Sequence, residues 1–370
     1  MTSKWTKHAA LTRPAIGKYH RFEIALMGAP CGIIKEWAAK FAQSWHQEKT
    51  AFLDMEHHPE ARLSPYYQLW NHQQSYFDLQ SDDFPSDFAL KIALQENDRL
   101  LINGNHFLGA QQVVFIDPKK NVAKHAEKLT APLMVIIREG VDEIPEAIQS
   151  KLQADTPVFK EAQEEEILNF IQAWSLLKKA PLKGLVLTGG KSQRMGEDKS
   201  QQNYTGKKQW EKGIELLKPF CQEVFISCNA QQKEQYPGQN LIIDRFLGLG
   251  PMGGILSAFQ ADPDAAWLVI AVDLPLLNEQ TLSTLVEHRQ SGKVATCFKI
   301  EDRPFPEPLI TIYEPRAYVK LLQYMSLGYS CPRKLVINEN CEVIPLADGT
   351  NLTNANTPGD KAEILKNIQP

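Results

Sequence analysis

The chain has 370 residues, of which 43% are hydrophobic and 23% are charged, and its formal net charge is −4 at pH 7. This length exceeds one typical core and predicts two domains of roughly 150–200 residues each. The slightly acidic balance argues against a nucleic-acid partner, which usually requires a strongly basic face. No run of about 18 apolar residues occurs, so we expect no segment that spans a membrane.

The N-terminus and the cysteines favour a cytoplasmic location. The first 20 residues lack the apolar core of a secretion signal. The six cysteines contain no C-x-x-C pair, and most of them lie in apolar contexts typical of strands. We therefore expect reduced, buried thiols in a cytoplasmic protein.

The N-terminal half begins with the pattern of a strand, a turn and an amphipathic helix. A strand is predicted over 22–27. Residues 28–35 form the turn and the start of a helix, which carries three aromatic residues at i, i+4 and i+8. This order is that of a strand, a P-loop and a helix. A Walker A loop, however, requires Gly-Lys-Ser/Thr where this chain has Ile33, Ile34 and Lys35.

Further strands predicted in this half lie at 51–55, 100–103, 113–117 and 133–137. The layout resembles that of MobB, the GTP-binding partner of the guanylyltransferase in molybdenum cofactor synthesis, with its phosphate loop lost. The resemblance implies a degenerate P-loop α/β domain that binds or docks rather than hydrolyses nucleotide. Glu56, His57 and His58 offer metal-binding side chains, although histidine pairs beside a proline in a loop are more often plain surface residues.

The boundary between the two halves is predicted near residue 180. A helix over 161–179 has glutamates at its start and lysines at its end, as the helix dipole prefers. Pro181 ends this helix, and a new strand starts at Lys183. We therefore expect one domain over residues 1–180 and a second over residues 181–370.

The strands predicted in the C-terminal half are mostly continuous apolar runs, which is typical of parallel strands covered by helices on both faces. They span 185–187, 223–229, 241–244, 267–273, 294–299 and 309–313. The sequence therefore predicts an α/β protein with two three-layer α/β/α domains, of which the C-terminal one is Rossmann-like with a mostly parallel sheet.

The first of these strands leads into a glycine-rich, basic loop. Gly189 and Gly190 follow the strand, and Lys191, Arg194 and Lys199 are distributed along the next residues. Paired glycines let a backbone approach a phosphate chain closely, and basic side chains neutralise its charge. The pattern predicts a nucleotide-triphosphate loop at the carboxyl end of a first strand. An exposed Gly-Lys turn is the alternative for the glycine pair alone, but the combined arrangement disfavours it.

The loop resembles the L-x-G-G-x-S-x-R-M-G-x-D-K signature of the molybdenum cofactor guanylyltransferases (MobA). The matching residues are Leu187, Gly189, Gly190, Ser192, Arg194, Met195, Gly196, Asp198 and Lys199. Thr188 stands where the family commonly has alanine. The resemblance implies that Arg194, Lys199 and Asp273 are catalytic. It also implies that the nucleotide is bound by Leu187, Thr188, Gly189, Gly190, Lys199, Asn229, Asp244 and Asp273.

Asp273 is the predicted metal ligand. It ends a strand and precedes Leu274 and Pro275, so a cap of the turn is the simpler explanation for it alone. Its V-D-x-P context matches the metal-binding motif of the resembled family, which favours a ligand. Mg²⁺ prefers hard oxygen donors and often takes only one or two protein carboxylates.

Asn229 and Asp244 also end strands and match the family positions that contact the guanosine. A carboxylate or amide oxygen can accept hydrogen bonds from the Watson–Crick edge of guanine. The alternative for each residue is a cap at the start of a loop. Residues 248–254 resemble the family's G-P-x-G-G/A loop and open a helix predicted over 255–259, whose amides suit an anionic or polar group.

Two later segments extend the resemblance to a second substrate. An R-K-x motif and an N-x-N-T-P segment match the family, although Gly359 replaces its usual acidic residue, and residues 306–309 resemble its P-x-L loop in a less regular form. The implied residues on this side are Gly253, Gly254, Arg333, Lys334, Asn354 and Asn356.

The resemblance implies that GTP and Mo-molybdopterin react to give the guanine dinucleotide cofactor and pyrophosphate. Mg²⁺ on Asp273 would neutralise charge on the α-phosphate, and Arg194 and Lys199 would hold the β- and γ-phosphates. The implied partners are GTP, Mo-molybdopterin and proteins that insert or receive the cofactor. We expect neither nucleic acid nor a membrane as a partner.

Two other functions stay open from the sequence. One is another nucleotidyltransferase of the same fold, acting on molybdopterin with CTP or on a sugar or choline phosphate. The other is a non-catalytic scaffold that binds nucleotide or molybdopterin. The Gly189-Gly190 pair and the N-x-N-T-P segment favour the guanylyl branch, and the intact Arg194, Lys199 and Asp273 argue against a scaffold.

Overall fold

A computed structural model describes residues 19–45, 48–57, 63–70, 87–176, 179–188, 199–203 and 206–355. The contacts within the chain divide it into two compact units, Met1–Lys178 and Lys179–Pro370. Within the described ranges, every helix is too short or too polar to cross a membrane.

The described residues of the N-terminal unit form seven strands and four α-helices. The strands are β1 (Glu23–Met27), β2 (Thr50–His57), β3 (Leu63–Trp70), β4 (Arg99–Asn103), β5 (Gln111–Ile116), β6 (Pro132–Ile137) and β7 (Val158–Lys160). The helices are α1 (Cys31–Ser44), α2 (Asp87–Leu94), α3 (Glu146–Gln149) and α4 (Glu164–Leu176).

These strands form one sheet in the order β3-β2-β4-β1-β5-β6-β7. Every pair in it is parallel except β2 and β3, which form an antiparallel edge. Helices α1 and α4 cover one face, where Trp37, Phe41 and Ile171 are fully buried. Helix α2 contributes Leu90 and Leu94 to the core on the other face. The sheet therefore has helices on both sides, because its strands are apolar on both faces.

The turn between β1 and α1 is short. Helix α1 begins at Cys31, directly after Pro30, so only three residues separate it from β1. Gly28 in this turn has φ +93°, and a Cβ there would overlap the carbonyl oxygen of Phe115. A glycine is therefore required at this position by both conformation and space.

Seven strands and five α-helices occur in the part of the C-terminal unit that the structure describes. The strands are β8 (Leu182–Leu187), β9 (Val224–Cys228), β10 (Leu241–Ile243), β11 (Ala266–Ala271), β12 (Ala295–Ile300), β13 (Ile310–Tyr313) and β14 (Glu342–Leu346). The helices are α5 (Gln209–Leu217), α6 (Pro251–Ala261), α7 (Glu279–Glu287), α8 (Arg316–Ser326) and α9 (Arg333–Asn338).

The second sheet has the order β10-β9-β8-β11-β13-β12-β14. Strand β13 is antiparallel to both of its neighbours, and the other pairs are parallel. Helices α5 and α7 pack on one face and α6, α8 and α9 on the other. The prediction of two three-layer α/β/α domains with a mostly parallel sheet is therefore confirmed.

The six cysteines are free thiols, of which Cys228 and Cys297 are buried. Burial raises the pKa of the Cys228 thiol to about 11 and that of the Cys221 and Cys341 thiols to about 12. These three side chains stay protonated near neutral pH, because an apolar surrounding disfavours the thiolate.

Candidate active site

Four neighbouring strands of the C-terminal sheet end at one edge. Strands β10, β9, β8 and β11 are parallel and adjacent, so their carboxyl ends lie side by side. Thr188, Asn229, Asp244 and Asp273 follow these ends directly or after one residue. The fold thus brings four of the predicted site residues to the edge where open α/β sheets bind ligands.

Ser227 connects two of these positions. The backbone N–H and the hydroxyl of Thr188 donate to the Ser227 carbonyl oxygen at 3.1 and 2.8 Å. The Ser227 hydroxyl in turn donates to Asp244 Oδ1 at 2.7 Å. The backbone N–H of Asp244 is fixed on the Cys228 carbonyl at 2.9 Å. The Asp244 carboxylate is therefore held in place by both its backbone and its side chain.

Two opposing effects act on the protonation of Asp244. Burial raises its pKa, because a charged carboxylate is disfavoured away from water, and the hydrogen bond from Ser227 lowers it. The result is a pKa above the ordinary aspartate value. A partly buried carboxylate oxygen is a strong acceptor for N–H groups of a ligand, because the low local dielectric strengthens such bonds.

Asn229 caps the short 3-10 helix that follows β9. Its Oδ1 accepts the backbone N–H of Gln232 at 3.0 Å, and Gln232 Oε1 accepts the backbone N–H of Asn229 at 3.2 Å. This is a capping box, the structural role that the sequence offered as the alternative. A guanosine contact by Asn229 stays a prediction.

Helix α6 packs closely on this strand edge through its glycines. A Cβ on Gly254 would overlap Ser227 Oγ and lie 2.8 Å from Leu187 Cδ2, and a Cβ on Gly253 would overlap the Phe246 carbonyl. The helix starts at Pro251 after Gly250, which has φ +54°. Of the two glycines of the predicted substrate loop, Gly254 thus lets α6 approach β8 and β9 closely, and Gly253 lets it approach the segment after β10.

Asp273 anchors the end of the described C-terminal segment. Its backbone carbonyl accepts the N–H of Ala355 at 2.8 Å, which brings the exposed Asn354 next to the end of β11. The Oδ1 atom of Asp273 is buried, so a hard oxygen donor of the kind that Mg²⁺ prefers lies at this edge. Clusters of three or more metal-ligating side chains are absent from the described part of the chain.

Arg333 contacts the loop 306–309, which connects β12 and β13 in the half of the strand order away from β10. The Glu307 carboxylate lies 2.8 Å from Arg303 Nη1 and 3.7 Å from Arg333 Nη2. The Nε atom of Arg333 is buried and makes no hydrogen bond to any described residue. Lys334 is the next residue of α9, so two cations begin this helix.

Several predicted site residues lie outside the described residues. These are Gly189, Gly190, Arg194 and Asn356, together with His58 of the N-terminal half. Lys199 begins a short 3-10 helix, Lys199–Gln201, and its side chain is not among those described. The roles of these residues stay predictions.

Two residues that support the site were missed from the sequence. Ser227 is the polar residue within the otherwise apolar strand β9, and this exception was the signal available. Lys212 on α5 donates to the Pro275 carbonyl at 2.6 Å and so fixes the turn after Asp273. Burial lowers the pKa of Lys212. No local pattern distinguishes this lysine from a solvated one.

Comparison with known proteins places the C-terminal unit in a family. Residues 184–340 match the family model of the MobA-like NTP transferase domain. The chain is 31% identical over 189 residues to the molybdenum cofactor guanylyltransferase of Xanthomonas euvesicatoria, spanning 50% of this chain and 95% of that protein. The chain belongs to the molybdenum cofactor guanylyltransferase family. The resemblance of the C-terminal half to MobA is thereby confirmed, and the MobB-like character of the N-terminal half stays a prediction.

Two further relatives of this chain are similar to it over about half of its length. The molybdenum cofactor biosynthesis bifunctional protein of Synechocystis is 37% identical over 190 residues, which are 51% of this chain and 55% of that protein. The chain therefore spans about half the length of that relative. The crystal structure of molybdopterin-guanine dinucleotide biosynthesis protein A from Archaeoglobus fulgidus has 25% identity and a TM-score of 0.43, covering 50% of this chain and 97% of its own.

Proposed function

We propose that the C-terminal unit transfers GMP from GTP to Mo-molybdopterin, giving Mo-molybdopterin guanine dinucleotide and pyrophosphate. The observation that carries the proposal is the match along 95% of a molybdenum cofactor guanylyltransferase. The positions of Thr188, Asp244 and Asp273 at one strand edge support it. We also propose a cytoplasmic location for this activity.

The chemistry requires positioning more than proton transfer. The molybdopterin phosphate is ionised near neutral pH, so it attacks the α-phosphorus in line without a general base, and pyrophosphate leaves. Arg194 and Lys199 hold the β- and γ-phosphates. The planar guanidinium of Arg194 can donate two parallel hydrogen bonds, and the ammonium group of Lys199 supplies a compact positive charge. Asp273 holds Mg²⁺, which supplies positive charge to the triphosphate when it is bound. Alignment and fixed charges then account for the rate.

The base is selected by Asp244 in this proposal. Guanine presents adjacent N–H donors on its Watson–Crick edge, and an ionised carboxylate is an acceptor for both. Cytosine lacks this pair of donors, so the same carboxylate would gain less from CTP. The fixed position of Asp244 on Ser227 and Cys228 means that little ordering is needed when the base binds.

The second substrate binds on the side of Arg333, Lys334, Asn354 and Asn356. Arg333 and Lys334 begin α9, and an anionic group such as the molybdopterin phosphate is matched by these cations. Gly253 and Gly254 are also proposed to contact the second substrate, from the first turn of α6.

The N-terminal unit is proposed to be a MobB-like domain without nucleotide hydrolysis. It would present the cofactor, or proteins that insert or receive it, to the transferase. The short turn from Gly28 to Cys31 supports the absence of a phosphate-binding loop, because α1 begins only three residues after Gly28.

Thermal stabilisation by nucleotides tests the proposed function. The full chain is heated with GTP, CTP, ATP or UTP, each with Mg²⁺. A ligand at about 100 times its dissociation constant stabilises the folded state by about 2.7 kcal/mol. We expect GTP to raise the melting temperature most. Equal or greater stabilisation by CTP would assign the protein to the cytidylyl branch, and no stabilisation by any nucleotide would contradict nucleotidyl transfer.

A further inference from the structure

Three side chains of the N-terminal unit form a cluster that the proposed transferase does not use. Cys31 is the first residue of α1, Asp54 lies in β2, and His106 lies in the loop after β4. The Cys31 Sγ atom lies 3.8 Å from His106 Nε2, and His106 Nδ1 lies 2.8 Å from Asp54 Oδ1. The imidazole therefore contacts the thiol through one nitrogen and the carboxylate through the other.

The histidine is oriented by the carboxylate. The Asp54 side chain is 5% exposed, and the backbone N–H of Met55 donates to its Oδ1 at 2.7 Å. An acceptor-only carboxylate on Nδ1 assigns the proton to that nitrogen. Nε2 is then the acceptor that faces the thiol, as a general base requires.

The thiol is also fixed from the other side. Asn105 Nδ2 donates to the Ala29 carbonyl at 2.9 Å and lies 3.9 Å from Cys31 Sγ. Its Oδ1 accepts the backbone N–H of Gly28 at 3.3 Å. The turn that carries Cys31 is therefore held against the loop that carries His106.

The thiol lies at the start of α1, which is partly accessible to solvent. Cys31 is half-buried and Gly32 beside it is exposed, so this end of α1 is open to solvent. The N–H groups of the first turn of α1 lie at this end and favour a developing negative charge.

A buried polar side chain lies at the same edge of the sheet. Asn103 ends β4, is fully buried, and its Nδ2 makes no hydrogen bond to any described residue. It lies one residue beyond Ile102, which pairs with Leu53, so it is next to Asp54 in register. A buried donor of this kind is costly unless a partner satisfies it, which indicates a polar ligand.

Other uses of the cysteine fit less well. The chain's other five cysteines all follow residue 220, so the N-terminal half contains no second thiol to form a disulfide couple. The described residues also contain no group of three or more side chains suited to a metal ion. The remaining chemistry of a thiol with a base is nucleophilic attack.

We propose that Cys31, His106 and Asp54 form a nucleophilic site for a small molecule with an activated carbonyl, an ester or thioester. Cys31 Sγ bonds to the carbonyl carbon while its proton passes to His106 Nε2, and the carbonyl π electrons move to the oxygen near the first turn of α1. The tetrahedral intermediate expels the leaving group, which takes that proton. Water then attacks the acyl-thioester with His106 as base, releasing the carboxylic acid and restoring the thiol.

Acetylation by p-nitrophenyl acetate tests the proposal on the full chain. Peptide mass analysis follows the acetyl group on Cys31 and on Cys331, an exposed thiol that serves as the internal reference. We expect Cys31 to be acetylated at least about 100-fold faster than Cys331, which is the usual contribution of a positioned base. Equal rates at the two thiols would overturn the proposal without any variant.

Variants assign the individual roles. C31S should remove the fast acetylation, C331A should leave it unchanged, and H106Q should slow it by about 100-fold. Asp54 acts through His106, so D54N should also slow the reaction and change its pH profile. The wild-type rate should depend on pH differently from the rates of H106Q and D54N, because both variants lack an oriented base beside the thiol. Unchanged profiles in both variants would remove His106 and Asp54 from the mechanism.

Discussion

Asp244 is the residue through which the nucleotide base would be chosen, because its carboxylate is fixed at the end of β10. Asp244→Asn keeps the size of the side chain but turns one acceptor oxygen into a donor. Hydrogen bonds to charged groups contribute about 1.5–3 kcal/mol, so GTP should bind about 10–100-fold more weakly. Calorimetric titration of GTP and CTP measures this, with the exposed Asp302→Asn as the matched control. Unchanged GTP affinity in Asp244→Asn would exclude Asp244 from base recognition.

Ser227 sets the pH range in which Asp244 can accept these bonds. Burial already raises the pKa of Asp244, so GTP affinity should fall as the pH drops through that raised value and the carboxyl group becomes protonated. The Ser227 hydroxyl stabilises the ionised form. Ser227→Ala should therefore raise the pKa of Asp244 further and move the midpoint of GTP binding to a higher pH. Titrations of GTP binding between acidic and neutral pH check the shift, and a midpoint that stays or moves down would contradict the role of Ser227.

At the scale of elements, the contact of α6 with β8 and β9 depends on Gly254. A methyl group there would overlap Ser227 Oγ and press on Leu187, so the helix or both strands must move. Overpacking of this kind costs about 1–3 kcal/mol. Gly254→Ala should lower the melting temperature by about 2–4 °C for each kcal/mol. Gln260→Ala, on the exposed side of the same helix, is the control. A Gly254→Ala protein as stable as the control would show that the helix adjusts freely.

The central strands could be predicted because a short run of neighbouring apolar residues is enough to identify them. Strands β8 and β11 are buried on both faces and read as continuous apolar runs. Strands β3, β7 and β14 were missed, and all three lie at sheet edges. Strands β3 and β14 each contain a proline, and β7 has only three residues. An edge strand needs less apolar sequence, so its pattern is weaker.

The candidate site was predictable only in part for a related reason. Asp244 and Asp273 are visible because each ends a strand. Lys212 and the cluster of Cys31, His106 and Asp54 depend on contacts between distant segments, which periodicity does not encode.

At the scale of the whole molecule, we expect nucleotidyl transfer in the second unit and no nucleotide hydrolysis in the first. The first unit lacks the glycine and lysine of a P-loop, and α1 begins where such a loop would lie. A fragment of residues 1–180 should therefore show no Mg²⁺-dependent GTP hydrolysis above the background. Phosphate release measures this, with the full chain assayed in parallel. Robust GTPase activity in the fragment would show a phosphate site that the turn from Gly28 to Cys31 does not suggest.

The proposed transfer mechanism depends on three charged residues of the second unit. Asp273→Asn and Lys199→Ala should each lower turnover by about 100-fold or more, since they remove fixed charges that act on the triphosphate. Both side chains are expected at strand or loop ends, so the melting temperature without nucleotide should change little. Arg194→Lys should also be costly, because a point charge does not reproduce a bidentate fork. A near-normal rate in any variant would remove that residue from the mechanism.

The formation of the dinucleotide product by the full chain is the most direct measurement. The protein is supplied with Mo-molybdopterin, Mg²⁺ and either GTP or CTP, and the dinucleotide and pyrophosphate are quantified together. The predicted result is one pyrophosphate for each guanine dinucleotide, with GTP much preferred to CTP and Asp273→Asn as the inactive control. A preference for CTP, or nucleotide binding without either product, would contradict the assignment of this chain as a guanylyltransferase.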